Sequence, residues 1–220
     1  MNRKKVTVAT GGVWHAPQLA SQLLEKGMLE KLYSSYPYLL LKYRGIIDNI
    51  PRRRFESIIS AEVIQRVLGT TKYFHSDRKD LYYKGILFDK ILSIVVDKGV
   101  DILHVWAQFG LRTIKSLNNT KVVTVVERGS SHIEFHTEQI KQEAKRLGID
   151  VKWSNKIVER EKKEYEATNY IITPSSFARN SFLQKGFSNQ KILKVPYGIS
   201  DYYIENSYRP SGKHFNVFYA

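Results

Sequence analysis

Cysteine is absent from this chain, which excludes disulfides, iron–sulfur clusters and thiolate zinc sites and fits a reducing, cytoplasmic setting. Long apolar runs are missing too. The uncharged stretch from Val6 to Leu24 is interrupted by Thr10, Gly11, Gly12, His15, Pro17 and Gln18, so it reads neither as a membrane span nor as the apolar region of a signal peptide. Glycine and proline are too sparse for a collagen-like or low-complexity chain, at 13 and 6 residues. Acidic residues are in short supply: 21 Asp and Glu against 35 Lys and Arg leave a formal charge of +14. Such a field draws anionic partners, whether nucleic acid, phosphorylated substrates or an acidic membrane surface.

What is present is an ordinary globular mixture. At 220 residues with 42% hydrophobic content, the chain suits one large domain, or one domain with a fragment of another. Val6–Ala9 is a β-branched strand that ends in Gly11-Gly12, and a helix opened by Pro17 stops at Gly27. Leu81, Phe88, Ile91, Leu92 and Val95 recur at helical spacing before the strand 101–106. A short helix, 111–117, leads to the valine-rich strand 121–127, and residues 134–147 and 156–167 favour helix. The strand 170–173, a helix over 177–185 capped by Gly186, and the strand 192–195 complete the alternation. The pattern predicts an α/β fold, a Rossmann-like, doubly wound and mostly parallel sheet. Glycine, proline, serine and histidine gather just after the strands, at the carboxyl edge where ligand crevices form in open parallel sheets. Gly11, Gly12, His15, Arg128, Ser130, His132 and Ser175 are thus expected to border one cleft.

Gly11-Gly12 lets backbone N–H groups approach a phosphate, although the third glycine of a dinucleotide fingerprint is replaced by the Trp14-His15 region. The only Tyr and Lys spaced as in a short-chain dehydrogenase, Tyr38 and Lys42, come too early in the chain. His132 and His136 flank Glu134, but the arrangement lacks the zinc-protease pattern and a third ligand, so no metal is expected. From Lys26 to Arg54 the chain carries an excess of five positive charges interleaved with tyrosine and leucine, ending in Arg52, Arg53 and Arg54. This is either a solvated face or a patch for an acidic membrane or anionic acceptor.

The run from Tyr165 through Thr173-Pro174-Ser175-Ser176-Phe177 to Leu183, followed by Gly186 and Val195-Pro196-Tyr197-Gly198-Ile199, resembles the end of the N-terminal domain of family 4 glycosyltransferases. Val6–Gly27 resembles their first strand, Gly-Gly loop and helix, and Val126–Ile133 resembles a loop of bacterial members. The resemblance is weakest between Tyr33 and Tyr83. It implies GT-B architecture, in which two Rossmann-like domains face a cleft, the first taking the acceptor and the second most of a nucleotide-sugar. It further implies that Gly11 and Gly12 meet the donor pyrophosphate, that His132 lies near the transferred sugar as the catalytic candidate, and that transfer is retaining and metal-independent. Residues 1–199 would be the acceptor-side domain, 200–214 a linker, and 215–220 the first strand of a donor-binding domain that this chain does not contain; alone, it is expected to be inactive. The expected partners are a nucleotide-sugar co-substrate and a glycan, lipid-linked or small-molecule acceptor. No other cofactor and no nucleic acid is expected, and the cytoplasmic protein would touch the inner face of a membrane peripherally. Two other classes remain open from sequence: a dinucleotide-binding oxidoreductase, and a basic module binding membrane or nucleic acid.

Overall fold

A computed structural model describes residues 3–71, 78–151 and 153–198. The linker and final strand expected over 200–220 lie outside the described residues. Seven strands form one fully parallel sheet in the order β3-β2-β1-β4-β5-β6-β7. The interior strand β1 (Val6–Thr10) is buried at every position, as its Val-Thr-Val-Ala sequence requires of a strand covered on both faces. Around it lie β2 (Leu29–Ser34), β3 (Phe55–Ser57), β4 (Ile102–Trp106), β5 (Val123–Glu127), β6 (Tyr170–Thr173) and β7 (Ile192–Lys194).

The helices are α1 (Ala16–Glu25), α2 (Tyr38–Tyr43), α3 (Ile59–Gly69), α4 (Lys79–Val95), α5 (Leu111–Leu117), α6 (Ile133–Arg146), α7 (Asn155–Ala167) and α8 (Ser176–Gln184). Gly27 ends α1 at φ +67°, and the Met28 N–H returns to the Leu23 carbonyl at 2.8 Å. That is the helix stop anticipated from the sequence, in a left-handed conformation that favours glycine. The stretch from Lys26 to Arg54, expected only as basic and aromatic, lies within a wing of the sheet in which residues 29–69 build β2, α2, β3 and α3. The core runs continuously along the sheet through Leu32, Phe55, Leu103, Val126 and Ile171 to Phe182. No described helix is long and apolar enough to cross a membrane.

A buried charged layer under α5 fixes the carboxyl edge. The Glu164 carboxylate, from α7, accepts the N–H groups of Gln108 (2.6 Å), Gly110 (2.9 Å) and Leu111 (3.0 Å). Asp89, from α4, accepts those of Arg112 (2.7 Å) and Thr113 (2.9 Å). Two carboxylates thus satisfy the orphan donors that open a helix and meet the positive end of its dipole. Arg160 joins the pair by bonding Asp89 and lying 3.9 Å from Glu164.

Candidate functional site

Parallel strands bring the loops after β1, β4, β5 and β7 to one edge, and there they enclose a cavity of about 370 Å³, within the size range of small-molecule sites. His15 comes from the β1–α1 loop, Trp106 and Gln108 from the end of β4, Glu127 to Ser130 from the end of β5, and Tyr197 from beyond β7; α4, α6 and α7 close the far side with Arg78, Leu81, His136, Trp153 and Ile157. All three tryptophans of the chain, Trp14, Trp106 and Trp153, line this one space.

Backbone strain converges on the same place. Among the described residues, three other than glycine adopt positive φ: Trp14 (+35°), Arg78 (+54°) and Gln108 (+80°). Each lines the cavity. Such conformations persist only where the surroundings over-determine them, and they concentrate at functional sites. For Gln108 the cause is visible. Its N–H goes to Glu164, its carbonyl accepts from Arg160 Nε at 2.9 Å, and its side-chain amide donates to Glu161 Oε1 at 2.6 Å.

The chemical centre is Glu127, 5% exposed. One carboxylate oxygen accepts from His15 Nε2 and the other from His104 Nε2 at 2.7 Å. Because a carboxylate oxygen accepts, Nε2 carries the proton in both bonds, and in the Nε2–H tautomer of His15 the second ring nitrogen, Nδ1, is an acceptor. The His15 ring is held between Trp106 at 5.2 Å and Tyr197 at 4.6 Å between centroids. Tyr197 in turn donates its hydroxyl to the Gly129 carbonyl at 3.1 Å.

The positions expected from the sequence divide. His15, Arg128 and Ser130 line the cavity. Arg128, however, spends its charge inward, on Glu161 at 3.5 Å and the Ser131 carbonyl at 3.2 Å. Gly11 and Gly12 sit beside the cavity under aromatic rings: a Cβ at Gly11 would lie 1.9 Å from Phe109, and one at Gly12 would lie 2.9 Å from Trp14. The Gly12 N–H, expected to face a phosphate, is donated to Thr10 Oγ1 at 3.2 Å.

A single cleft bordered by all of these residues is therefore corrected: Gly11 and Gly12 stand beside the cavity without lining it, and His132 and Ser175 lie outside it. His132 lies at the carboxyl edge but turns inward, 2% exposed, and packs on Phe182 at 5.0 Å and Tyr165 at 5.3 Å. Its Nδ1 accepts the Glu134 N–H at 3.2 Å, capping α6. Burial, reinforced by Lys185, Arg128 and Lys162 and opposed by Glu134, lowers its pKa to about 4. Ser175 is exposed and caps α8 through the Ala178 N–H. Arg52, Arg53 and Arg54 precede β3 and so occupy the amino edge, opposite the cavity. Arg52 bonds the Phe55 carbonyl and lies over Tyr38, and Arg54 bonds Glu30.

Glu127 and His104 were not singled out by the sequence reading. A period-two count would have found them, since His104 and Trp106 share a face of β4 and Trp106 pairs in register with Glu127. Nothing local marks Trp153, whereas Tyr197 follows a strand and falls in the Val195–Ile199 run of the family 4 resemblance.

No protein-family model matches the sequence, and no curated protein matches it at a significant level. Solved structures do share its shape. It superposes on a UDP-N-acetylglucosamine 2-epimerase with a TM-score of 0.51 at 12% identity. It also superposes on a putative UDP-N-acetylglucosamine 2-epimerase of Listeria monocytogenes, with a TM-score of 0.50 at 12% identity. Each match covers 87% of this chain but only 46% and 45% of the other. The fold is Rossmann-like, an all-parallel α/β sheet flanked by helices. At this identity the likeness is one of fold, and the chain spans less than half the length of the structures it matches.

Proposed function

We propose that this chain is the acceptor-side half of a GT-B glycosyltransferase that moves a sugar from a nucleotide-sugar to an acceptor. The observation that carries the reading is the His15–Glu127–His104 array, set in a strained, tryptophan-lined cavity at the carboxyl edge of a GT-B-like half. The family 4 resemblance of residues 165–199 supports transfer over other nucleotide-sugar chemistry.

In the proposed reaction the acceptor oxygen bonds to the anomeric carbon while the bond from that carbon to the diphosphate breaks, and the diphosphate leaves with the electron pair. Glu127 holds His15 in the Nε2–H tautomer, so Nδ1 is ready to accept the hydrogen of the acceptor hydroxyl. His104 fixes the second oxygen of Glu127 and keeps the carboxylate from rotating. Charge on the leaving diphosphate would be met by a second domain beyond this chain, with residues 200–214 as the connection and 215–220 as its first strand. The Gly11-Gly12 loop, with its N–H internally bonded and its space filled by rings, gives no support to a dinucleotide-binding oxidoreductase.

The test uses protein made from the complete reading frame, incubated with radiolabelled UDP-, GDP- and CDP-sugars and a glycan panel. Label should pass to an acceptor, and Glu127→Gln should lower kcat by about 10² to 10⁴. Conversion of the nucleotide-sugar without transfer would replace this reading with an epimerase-like one. Full activity in the Glu127→Gln variant would remove the proposed role of the array.

A further inference from the structure

The far end of the cavity, between α4, α6 and α7, is a compartment with its own chemistry. Trp153 forms its centre. The ring of His136 meets it edge-on at 5.7 Å, and the guanidinium of Arg78 lies 5.5 Å from its centroid. Leu81 and Ile157 supply the apolar remainder of the wall.

Five buried side-chain polar atoms among the described residues have no hydrogen-bond partner, and three belong to residues lining this cavity: Gln108 Oε1, Ser130 Oγ and Trp153 Nε1. Leaving such an atom unmade is unfavourable, and native structures contain few of them. These three come from three different loops, after β4, after β5 and before α7. They comprise an acceptor, a hydroxyl able to do both, and a donor. Gln108 cannot recruit a partner by rotating, because its other three polar groups are bound to α7. Each atom is covered in this structure, so contact with a ligand requires the loops that carry Gln108, Ser130 and Trp153 to shift.

The charge balance identifies the class of occupant. Arg128 is committed to Glu161 and Ser131, and the Gly12 N–H to Thr10. Burial, together with Arg128 and Arg78, lowers the pKa of His136, whereas Glu161 raises it; the ring is therefore neutral at pH 7. Arg78 is the remaining cation of the lining and lies over the Trp153 ring; one guanidinium is less charge than a diphosphate needs. The compartment suits a ring with an apolar face to lie on an indole and hydroxyls around its rim, each able to donate and accept.

We propose that this compartment is a subsite for a neutral pyranose ring of the acceptor, stacked against Trp153 and hydrogen-bonded to Gln108, Ser130 and the indole N–H. The assignment rests on the reading above, in that it makes the acceptor a carbohydrate that enters this half of the enzyme.

Because every tryptophan of the chain lines the cavity, intrinsic fluorescence reports its occupancy directly. The protein is titrated with methyl glucoside, methyl mannoside, methyl galactoside and N-acetylglucosamine, and with UMP as a nucleoside control. At least one neutral sugar should change the emission saturably. Trp153→Phe, which keeps an aromatic face but loses the N–H, should weaken that sugar about three- to tenfold, and Trp153→Leu by more than tenfold. Ser130→Ala, a small change in a loop, should weaken it severalfold with an unchanged unfolding midpoint. Saturation by UMP but by no sugar, or no response to any sugar, overturns the subsite. Sugar binding that is indifferent to both Trp153 and Ser130 overturns it as well. Transfer from a nucleotide-sugar by a protein that binds no free sugar would sink the subsite and leave the glycosyltransferase reading standing. Sugar binding without any use of nucleotide-sugars would do the reverse.

Discussion

At the scale of single residues, direction matters more than position. His132 stands one loop beyond the strongest strand, where sequence alone places a catalytic group, yet its ring faces Phe182 and Tyr165. What decides this is the packing of α8 beneath α6, which no local spacing encodes. The burial has a measurable sign. The folded pKa is lowered to about 4 from 6.5, so the folded state binds fewer protons than the unfolded chain between those values. Stability from this group is fully present above pH 6.5 and is lost as pH falls toward 4, by roughly 3 kcal/mol if the full shift is realised. Urea unfolding at pH 7.5 and 4.5 should show this loss in the wild type and a smaller one in His132→Asn; equal losses would mean that other groups carry the acid sensitivity. Gly11 is a second case in which the reason differs from the expected one. A Cβ there would strike the Phe109 ring at 1.9 Å, so Gly11→Ala should cost about 1 to 3 kcal/mol by overpacking, read as a lower unfolding midpoint before any ligand is added.

At the scale of elements, the strands after residue 100 and the helix stops were legible because valine-rich runs and cap glycines are local signals. The wing built by β2, α2, β3 and α3 was not, because β3 has only three residues and the tyrosines and arginines around it obscure any period of two. The packing of α4 was equally hidden. Gly85 lies inside that helix, where alanine ordinarily gains about 1 kcal/mol. Here, a Cβ would sit 2.7 Å from the Gln108 carbonyl oxygen, on the loop that α7 holds in its strained form. Gly85→Ala should therefore destabilise the protein despite its better helix propensity, and should weaken ligand binding in the cavity. A raised unfolding midpoint would show that α4 can move away freely. Asp89 joins the same layer, buried against Arg160 and the start of α5. Asp89→Ala removes the carboxylate bonded to Arg160 and leaves the Arg112 and Thr113 N–H groups unpaired, and should cost about 3 to 5 kcal/mol, measurable by the same denaturation.

At the scale of the whole molecule, the sheet holds two surfaces apart. The Arg52–Arg54 turn lies at the amino edge and the cavity at the carboxyl edge, so a membrane that engages the arginines faces away from the proposed chemistry. Arg53 is exposed and has no bonded partner among the described residues. Near an acidic bilayer one such cation contributes about 1 kcal/mol, so Arg53→Gln should lower binding to phosphatidylserine vesicles about fivefold at low salt. Equal flotation of variant and wild type would reduce the turn to a solvated face. The pinning of Tyr197 to Gly129 and His15 has a different reach. Through Tyr197 the last described segment is held at the mouth of the cavity, beside His15. A pull on this segment would act first on the Tyr197 ring and its bond to Gly129, so its displacement is converted at that point into the orientation of one imidazole.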